Sequence, residues 1–424
     1  MIEPAHKSPS LLSIQILRAI AALAVTYEHI AGYEFARQYG LPDALPPFKF
    51  GRAGVDLFFV ISGFVMVYAS ERYFGRTKAP QEFFLRRLAR IVPLYWLTTS
   101  IILVYLLVQY RDLAKAQFSW VSVIASYLFI PYPQLNGLMA PVHGVGWTLN
   151  YEMFFYTCFC VALLFSRRTG VLVLAAFLFA FAGLNQLTPL PNPLGYWADP
   201  IILEFVFGML IATLLLSGFR IPHMWAGALV VIAFLALLGL DYLTESPRLL
   251  ALGVPSAFIV GSLVLADWSA KPSSLWQPLS FLGDASYSLY LVHPLAITLP
   301  RRLFPHLVNP ASSPWLYAAL LLATALAAAV VVHLLFEKPV TRILQKRIGI
   351  KFRDQQREAW ADDAKRPRNR QHRELARFGG ALKYPNDVVD DHRRRHVVVC
   401  TAATGLSVDD RGASTGRLNR NSSR

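Results

Sequence analysis

Ten apolar segments of near-spanning length divide the first four-fifths of the chain: about 11–31, 54–71, 92–110, 146–165, 170–187, 201–217, 224–243, 250–267, 282–303 and 314–337. A helix needs roughly 20 apolar residues to cross a hydrocarbon core. Inside that core every backbone N–H and C=O must be satisfied within the protein. So many long apolar runs confine the chain to one fold class, an all-α polytopic membrane protein with about ten transmembrane helices. Composition agrees, since 55% of the 424 residues are hydrophobic and only 16% charged, a balance foreign to a soluble fold of this length. Phe118 to Tyr132 is too short to span and ends among prolines, so it reads as a re-entrant or interfacial piece.

The net charge of +15 suggests nucleic acid only until it is located. Residues 351–424 hold 17 Lys/Arg against 10 Asp/Glu, and most of the remaining excess lies in short loops beside the spans. That is the distribution of the positive-inside rule, and it argues against a nucleic-acid partner. With the N-terminus in the cytoplasm, the inside connections carry 11 Lys/Arg and the outside ones 8 before the tail is counted. Both termini are therefore expected in the cytoplasm. Arg18 interrupts the first apolar run and no small-residue cleavage pattern follows closely, so that run is expected to be a retained span. A transmembrane domain over 1–340 is expected to lead into a basic, disordered cytoplasmic tail over 341–424.

Within the spans, ionisable residues carry the functional signal, because each is costly there and faces an interior or a watery cavity. Arg18 and His29 are eleven residues apart, three turns plus ~20°, which puts them on one stripe about 16 Å apart along the axis. Asp56 opens the second span at the depth of His29, where it could fix the imidazole tautomer or merely cap its helix. Arg86, Arg87 and Arg90 share the faces of a helix entering the membrane, either as orientation anchors or as a phosphate clamp. Trp147 and Glu152 open an aromatic-rich span. His293 lies toward mid-membrane in another, touching substrate or the backbone disturbed by Pro294. Glu204 and His333 read as packing. Cys158, Cys160 and Cys400 form neither a disulfide framework nor a metal set. No Walker loop, dinucleotide glycine fingerprint, Gly-x-Ser-x-Gly elbow or His-Glu-x-x-His helix occurs.

Arg18 spaced from His29, Gly-Val-Asp-Leu-Phe-Phe-Val-Ile-Ser-Gly-Phe at 54–64, Arg-Leu-Ala-Arg-Ile-Val-Pro-Leu-Tyr-Trp at 87–96, Trp-Thr-Leu-Asn-Tyr-Glu at 147–152, Ser-Tyr-Ser-Leu-Tyr-Leu-Val-His at 286–293 and the closing Glu337-Lys338-Pro339 run in this order. Together they resemble the membrane acyltransferase 3 family over about residues 11–340, closest to bacterial members acting on exopolysaccharide, O-antigen or Nod-factor sugars. The resemblance implies ten spans in the bacterial inner membrane. It also implies acyl-CoA, commonly acetyl-CoA, as cytoplasmic donor, a lipid-linked or exported glycan as acceptor, and no metal. It makes His29 the essential histidine and Arg18 its companion, with Arg87 and Arg90 on the donor. Asp56, Trp147 and Glu152 match further motif positions; Asp56 or Glu152 is expected to orient His29, and Trp147, Tyr287 and His293 to bind substrate. Polysaccharide biosynthesis machinery would be a further partner. A glycan or lipid transporter or flippase would use the same buried charges without acyl transfer.

Overall fold

The computed structural model describes residues 9–32, 49–243, 247–267, 273–310 and 312–350. The expected tail from 351 onward, with Cys400, lies outside the described residues. All regular elements among them are helical, and the lone strand-like pairing is a single bridge between Ile221 and Ala266. Twelve helices carry the argument: α1 (Pro9–Ala31), α2 (Ala53–Ala69), α3 (Ala79–Tyr110), α4 (Trp120–Tyr127), α5 (Trp147–Ala162), α6 (Arg167–Leu187), α7 (Leu203–Leu216), α8 (His223–Leu243), α9 (Val254–Leu265), α10 (Gln277–Asp284), α11 (Ser286–Thr298) and α12 (Pro314–Val332). Four helical stretches are long and apolar enough to cross a membrane, Leu12–Ala31, Ala79–Tyr110, Arg167–Leu187 and Pro314–Ile350. Shorter apolar helices fill the space between them, over Ala53–Ala69, Pro200–Leu216, His223–Gly239 and Leu249–Leu265.

Three departures from the sequence reading bear on the site. The third apolar segment begins well before residue 92, because Ala79–Pro80 start a helix that runs unbroken through Arg86, Arg87 and Arg90. Proline is tolerated in a first helical turn, and Pro93 further on stays inside the same helix. The ninth segment is instead broken, with α10 ending at Asp284 and α11 restarting at Ser286. The break brings the short side chain of Ser286 into the interior. Finally, the last helix does not stop at Pro339. A π-turn over His333–Glu337, in which Lys338 N–H donates to His333 O, lengthens the hydrogen-bond spacing just ahead of the proline, and the helix continues to Ile350.

The interior is packed around α2. Gly63 and Gly208 let α2 and α7 cross with backbones in contact: a Cβ on either would sit 2.0 Å from a carbonyl oxygen of the other helix. Phe59, Phe155 and Phe205 stack beside this crossing, with ring centroids 4.7 Å and 4.3 Å apart. α1 meets α10 as closely, since a Cβ on Gly283 would lie 2.0 Å from the Gln15 oxygen. Trp120, Val121, Ile124 and Leu128 of the short α4 segment are exposed, while Ser122 and Ser126 face inward, and Tyr95 donates to Ser126 O from the middle of α3. The segment expected as re-entrant or interfacial thus folds back along α3.

Candidate functional site

A cavity of about 110 Å³ opens between α1, α2, α3, α5 and α11. Arg18, Arg87, Arg90, Glu152, Ser62 and Tyr287 all reach its wall, so residues from five distant stretches of sequence converge there.

At one end, Arg18 is fixed by Ser286 Oγ, which accepts from Nε at 3.2 Å and from Nη2 at 2.9 Å. Arg87 and Arg90 follow from the α3 register, three residues apart on one face. Arg87 lies over two rings, 5.4 Å from the centroid of Phe83 and 5.8 Å from that of Tyr156. Neither Arg87 nor Arg90 donates a hydrogen bond to any described residue, so their forked donors are unspent. A partly buried guanidinium with idle donors is a binding site for an anion, with phosphate the best geometric match. Tyr287 closes the wall beside them and donates its phenol to Ile91 O at 2.7 Å.

Glu152 sits further along. Its Oε1 accepts from Ser62 Oγ at 3.1 Å and from the Tyr156 hydroxyl one turn on. Above it, Tyr290 bonds Val145 O at 2.8 Å and shares a 2.9 Å contact with Thr148 Oγ1.

Behind Tyr290, whose ring centroid is 6.3 Å from that of His293, stand two imidazoles, His29 of α1 and His293 of α11, with ring centroids 4.9 Å apart and edges facing. His29 Nδ1 is 2.8 Å from Val25 O, and His293 Nδ1 is 3.0 Å from Leu289 O. A carbonyl oxygen can only accept, so both Nδ1 atoms carry the proton and both Nε2 atoms keep a lone pair. His29 is exposed at its helix end, whereas His293 is fully buried and its Nε2 has no partner among the described residues. Both readings of His293 therefore have a ring nitrogen: Nδ1 serves the backbone, and Nε2 is left for something else. A third imidazole, His143, donates from Nε2 to Leu291 O at 2.9 Å, and burial holds its pKa down to about 4.

The expected partnership of Asp56 with His29 is not formed. Asp56 is fully buried and takes both Nε and Nη2 of Arg248, at 3.2 Å and 2.8 Å, while that guanidinium also lies 5.6 Å from the Trp147 ring centroid. Glu152 likewise faces Ser62 and Tyr156 rather than an imidazole. Trp147 packs between Phe59 and Tyr151. The sequence reading singled out neither Arg248 nor Ser62. The Glu152–Tyr156 pair was within reach of the four-residue helical spacing. Arg248 lies 192 residues from Asp56, and no local pattern marks it. Among the described residues no group of His, Cys, Asp or Glu could hold a metal ion.

Comparisons with known proteins point to one family. A family model described as an acyltransferase domain, that of acyltransferase 3, matches residues 11–334. The exopolysaccharide production protein ExoZ of Rhizobium meliloti is 34% identical over 308 residues, 70% of this chain and 91% of that protein. The acyltransferase MdmB of Streptomyces mycarofaciens is 27% identical over 370 residues, covering 79% and 92% of the two chains. The peptidoglycan O-acetyltransferase OatA of Listeria monocytogenes is 25% identical over 339 residues, 68% of this chain and 49% of its own. No solved structure matches. The match covers α1 to α12 and every residue that lines the cavity, and the chain belongs to the membrane acyltransferase 3 family.

Proposed function

We propose that this acyltransferase moves an acyl group, acetyl in the simplest case, from cytoplasmic acyl-CoA to a sugar hydroxyl of an exported or surface glycan. It would work in the bacterial inner membrane as a ten-span protein with both termini inside, beside the machinery that builds the glycan. One observation carries the reading: two guanidiniums with idle donors line a cavity that Tyr290 also walls, and the His293–His29 imidazole pair stands directly behind that ring. The names of ExoZ and OatA support a glycan acceptor, since they place those relatives in exopolysaccharide production and peptidoglycan acetylation.

The distances suit the donor. Arg87 and Arg90 would hold the pyrophosphate of CoA, with Arg18 lining the path of the pantetheine arm. That arm has about a dozen bonds and extends to ~15 Å at the rise per bond of an extended polypeptide. His29 lies ~16 Å beyond Arg18 along α1, about the length of that arm, so an extended arm would carry the thioester toward the imidazole. His29 Nε2 then takes the proton of the sugar hydroxyl as its oxygen attacks the thioester carbonyl. The tetrahedral intermediate collapses, the C–S bond breaks, and the thiolate leaves as CoA with the proton from imidazolium. In the alternative route Nε2 itself attacks, and an acyl-histidine passes the group on. In this reading Tyr287 and Trp147 shape the walls that the two substrates meet, and His293 keeps a second lone pair beside the base. Asp56 and Glu152 act through Arg248 and through Ser62 and Tyr156, holding the walls rather than touching His29.

The test is release of free thiol from radiolabelled acetyl-CoA in proteoliposomes with crude glycan, for wild type and His29→Ala. Release that depends on His29 is expected. A wild-type protein that neither binds nor consumes acyl-CoA would overturn the reading and restore that of a transporter.

A further inference from the structure

Below the arginine pair lies a second cavity, of about 330 Å³, bounded by Ser70, Tyr73, Phe83, Arg86 and Gln345 together with Arg87 and Arg90 themselves. The pair is thus the floor of one cavity and the roof of the other. Gln345 belongs to the roughly three turns by which the last helix outruns Pro339, a stretch beyond residue 334, where the family match ends. A Cβ on Gly349, one turn further, would meet Arg86 Nη2 at 3.6 Å, so this extension packs directly on α3.

The chemistry of this second wall differs from that of the first. The Gln345 amide makes no hydrogen bond to any described residue, so its two donors and its acceptor face the cavity unspent. Tyr73 and Phe83 supply aromatic surface. Burial and the neighbouring Glu82 carboxylate, which accepts from its hydroxyl, raise the Tyr73 phenol above its ordinary range, so it is neutral. Arg86 spends Nε and Nη2 on Glu82, at 2.9 Å and 2.7 Å, and keeps Nη1. A primary amide beside aromatic rings is how proteins read adenine, through a bidentate contact to N6 and N7 and stacking on the base face. A guanidinium at the rim suits a ribose phosphate.

We infer that this vestibule is the purine pocket of the donor site, with Gln345 reading the adenine edge and Arg86 the phosphate on the ribose. The inference rests on the acyl-CoA reading above and adds to it the group that selects the nucleotide. The terminal turns of the last helix then set donor affinity, while the transmembrane cavity handles the arm and its thioester.

The test compares full and truncated donors. For wild type, Gln345→Leu and Gln345→Glu, the Michaelis constants of acetyl-CoA and of acetyl-4′-phosphopantetheine are measured. So is inhibition by adenosine 3′,5′-bisphosphate and by its inosine counterpart, which lacks the N6 amino group. Wild type should prefer the adenosine compound about tenfold or more, as one bidentate base contact provides. Gln345→Leu should lose that preference and raise the acetyl-CoA constant by a similar factor. Its constant for acetylphosphopantetheine should be unchanged. Equal inhibition by the two bisphosphates in wild type, or both variants matching wild type on all four compounds, would overturn the purine pocket and leave the acyl-CoA reading standing. Failure of wild type to consume acetyl-CoA at all would remove the donor reading itself.

Discussion

Removing Arg248 should cost more than removing Asp56, although the two form one ion pair. The Asp56 side chain is 0% exposed and that of Arg248 30% exposed. Arg248→Met leaves a carboxylate with no water and no cation. Its other neighbour, Glu204, is equally buried, and neither of its own oxygens has a hydrogen-bond partner among the described residues. An uncompensated buried charge of this kind costs ~3–5 kcal/mol. Asp56→Asn instead leaves a guanidinium that keeps part of its hydration and the face of Trp147, and loss of one charged acceptor there costs ~1–3 kcal/mol. The double variant removes both charges and should recover most of the stability lost by Arg248→Met. Reversible unfolding in mixed micelles, followed by proteolysis of the unfolded fraction, measures all three. CoA release by the same preparations shows whether activity tracks stability. If Asp56→Asn abolished turnover with stability unchanged, and the double variant stayed dead, the carboxylate would be acting on His29 and the structural assignment would be refuted.

His29→Ala should lower turnover by ~10²–10⁴-fold, the usual worth of a general base, with CoA binding by calorimetry near wild type; a fully active, folded variant would remove the assignment. Arg87→Ala with Arg90→Ala should raise the donor Michaelis constant and leave the acceptor constant alone, and a steady-state titration of both substrates decides this. Gly63→Ala should cost up to the full ~1–3 kcal/mol of overpacking, because its Cβ would sit 2.0 Å from the rigid Phe205 oxygen. Unfolding in mixed micelles would expose an error there, as unchanged stability would mean that α2 and α7 do not cross so closely.

The all-helical class was legible, because a long apolar run has few alternatives, whereas the meeting of Arg18, Arg87 and Arg90 at one cavity is seen only in the structure. What the sequence left hidden was pairing across helices. Helical periodicity says which residues share a face, but not which face of which helix lies opposite. Asp56 therefore looked like a neighbour of His29 by depth alone, whereas rotation of α2 about its axis turns it toward Arg248. The extent of the last helix was hidden for another reason. Proline ordinarily ends a helix, and only the π-turn ahead of Pro339 explains the continuation to Ile350.

The Gly63–Gly208 crossing also limits how the molecule can work. Two helices touching backbone to backbone over a glycine pair have no side chains between them to slide or repack, so they behave as one beam. α2 forms one wall of the cavity, which is consequently stationary, and rocking of that wall is not available as a means of exposing the site alternately to the two sides. On the proposed acyl-CoA reading, traffic would instead be carried by the substrates: a flexible thioester arm entering from one side, and an acceptor approaching the exposed edge of His29 from the other.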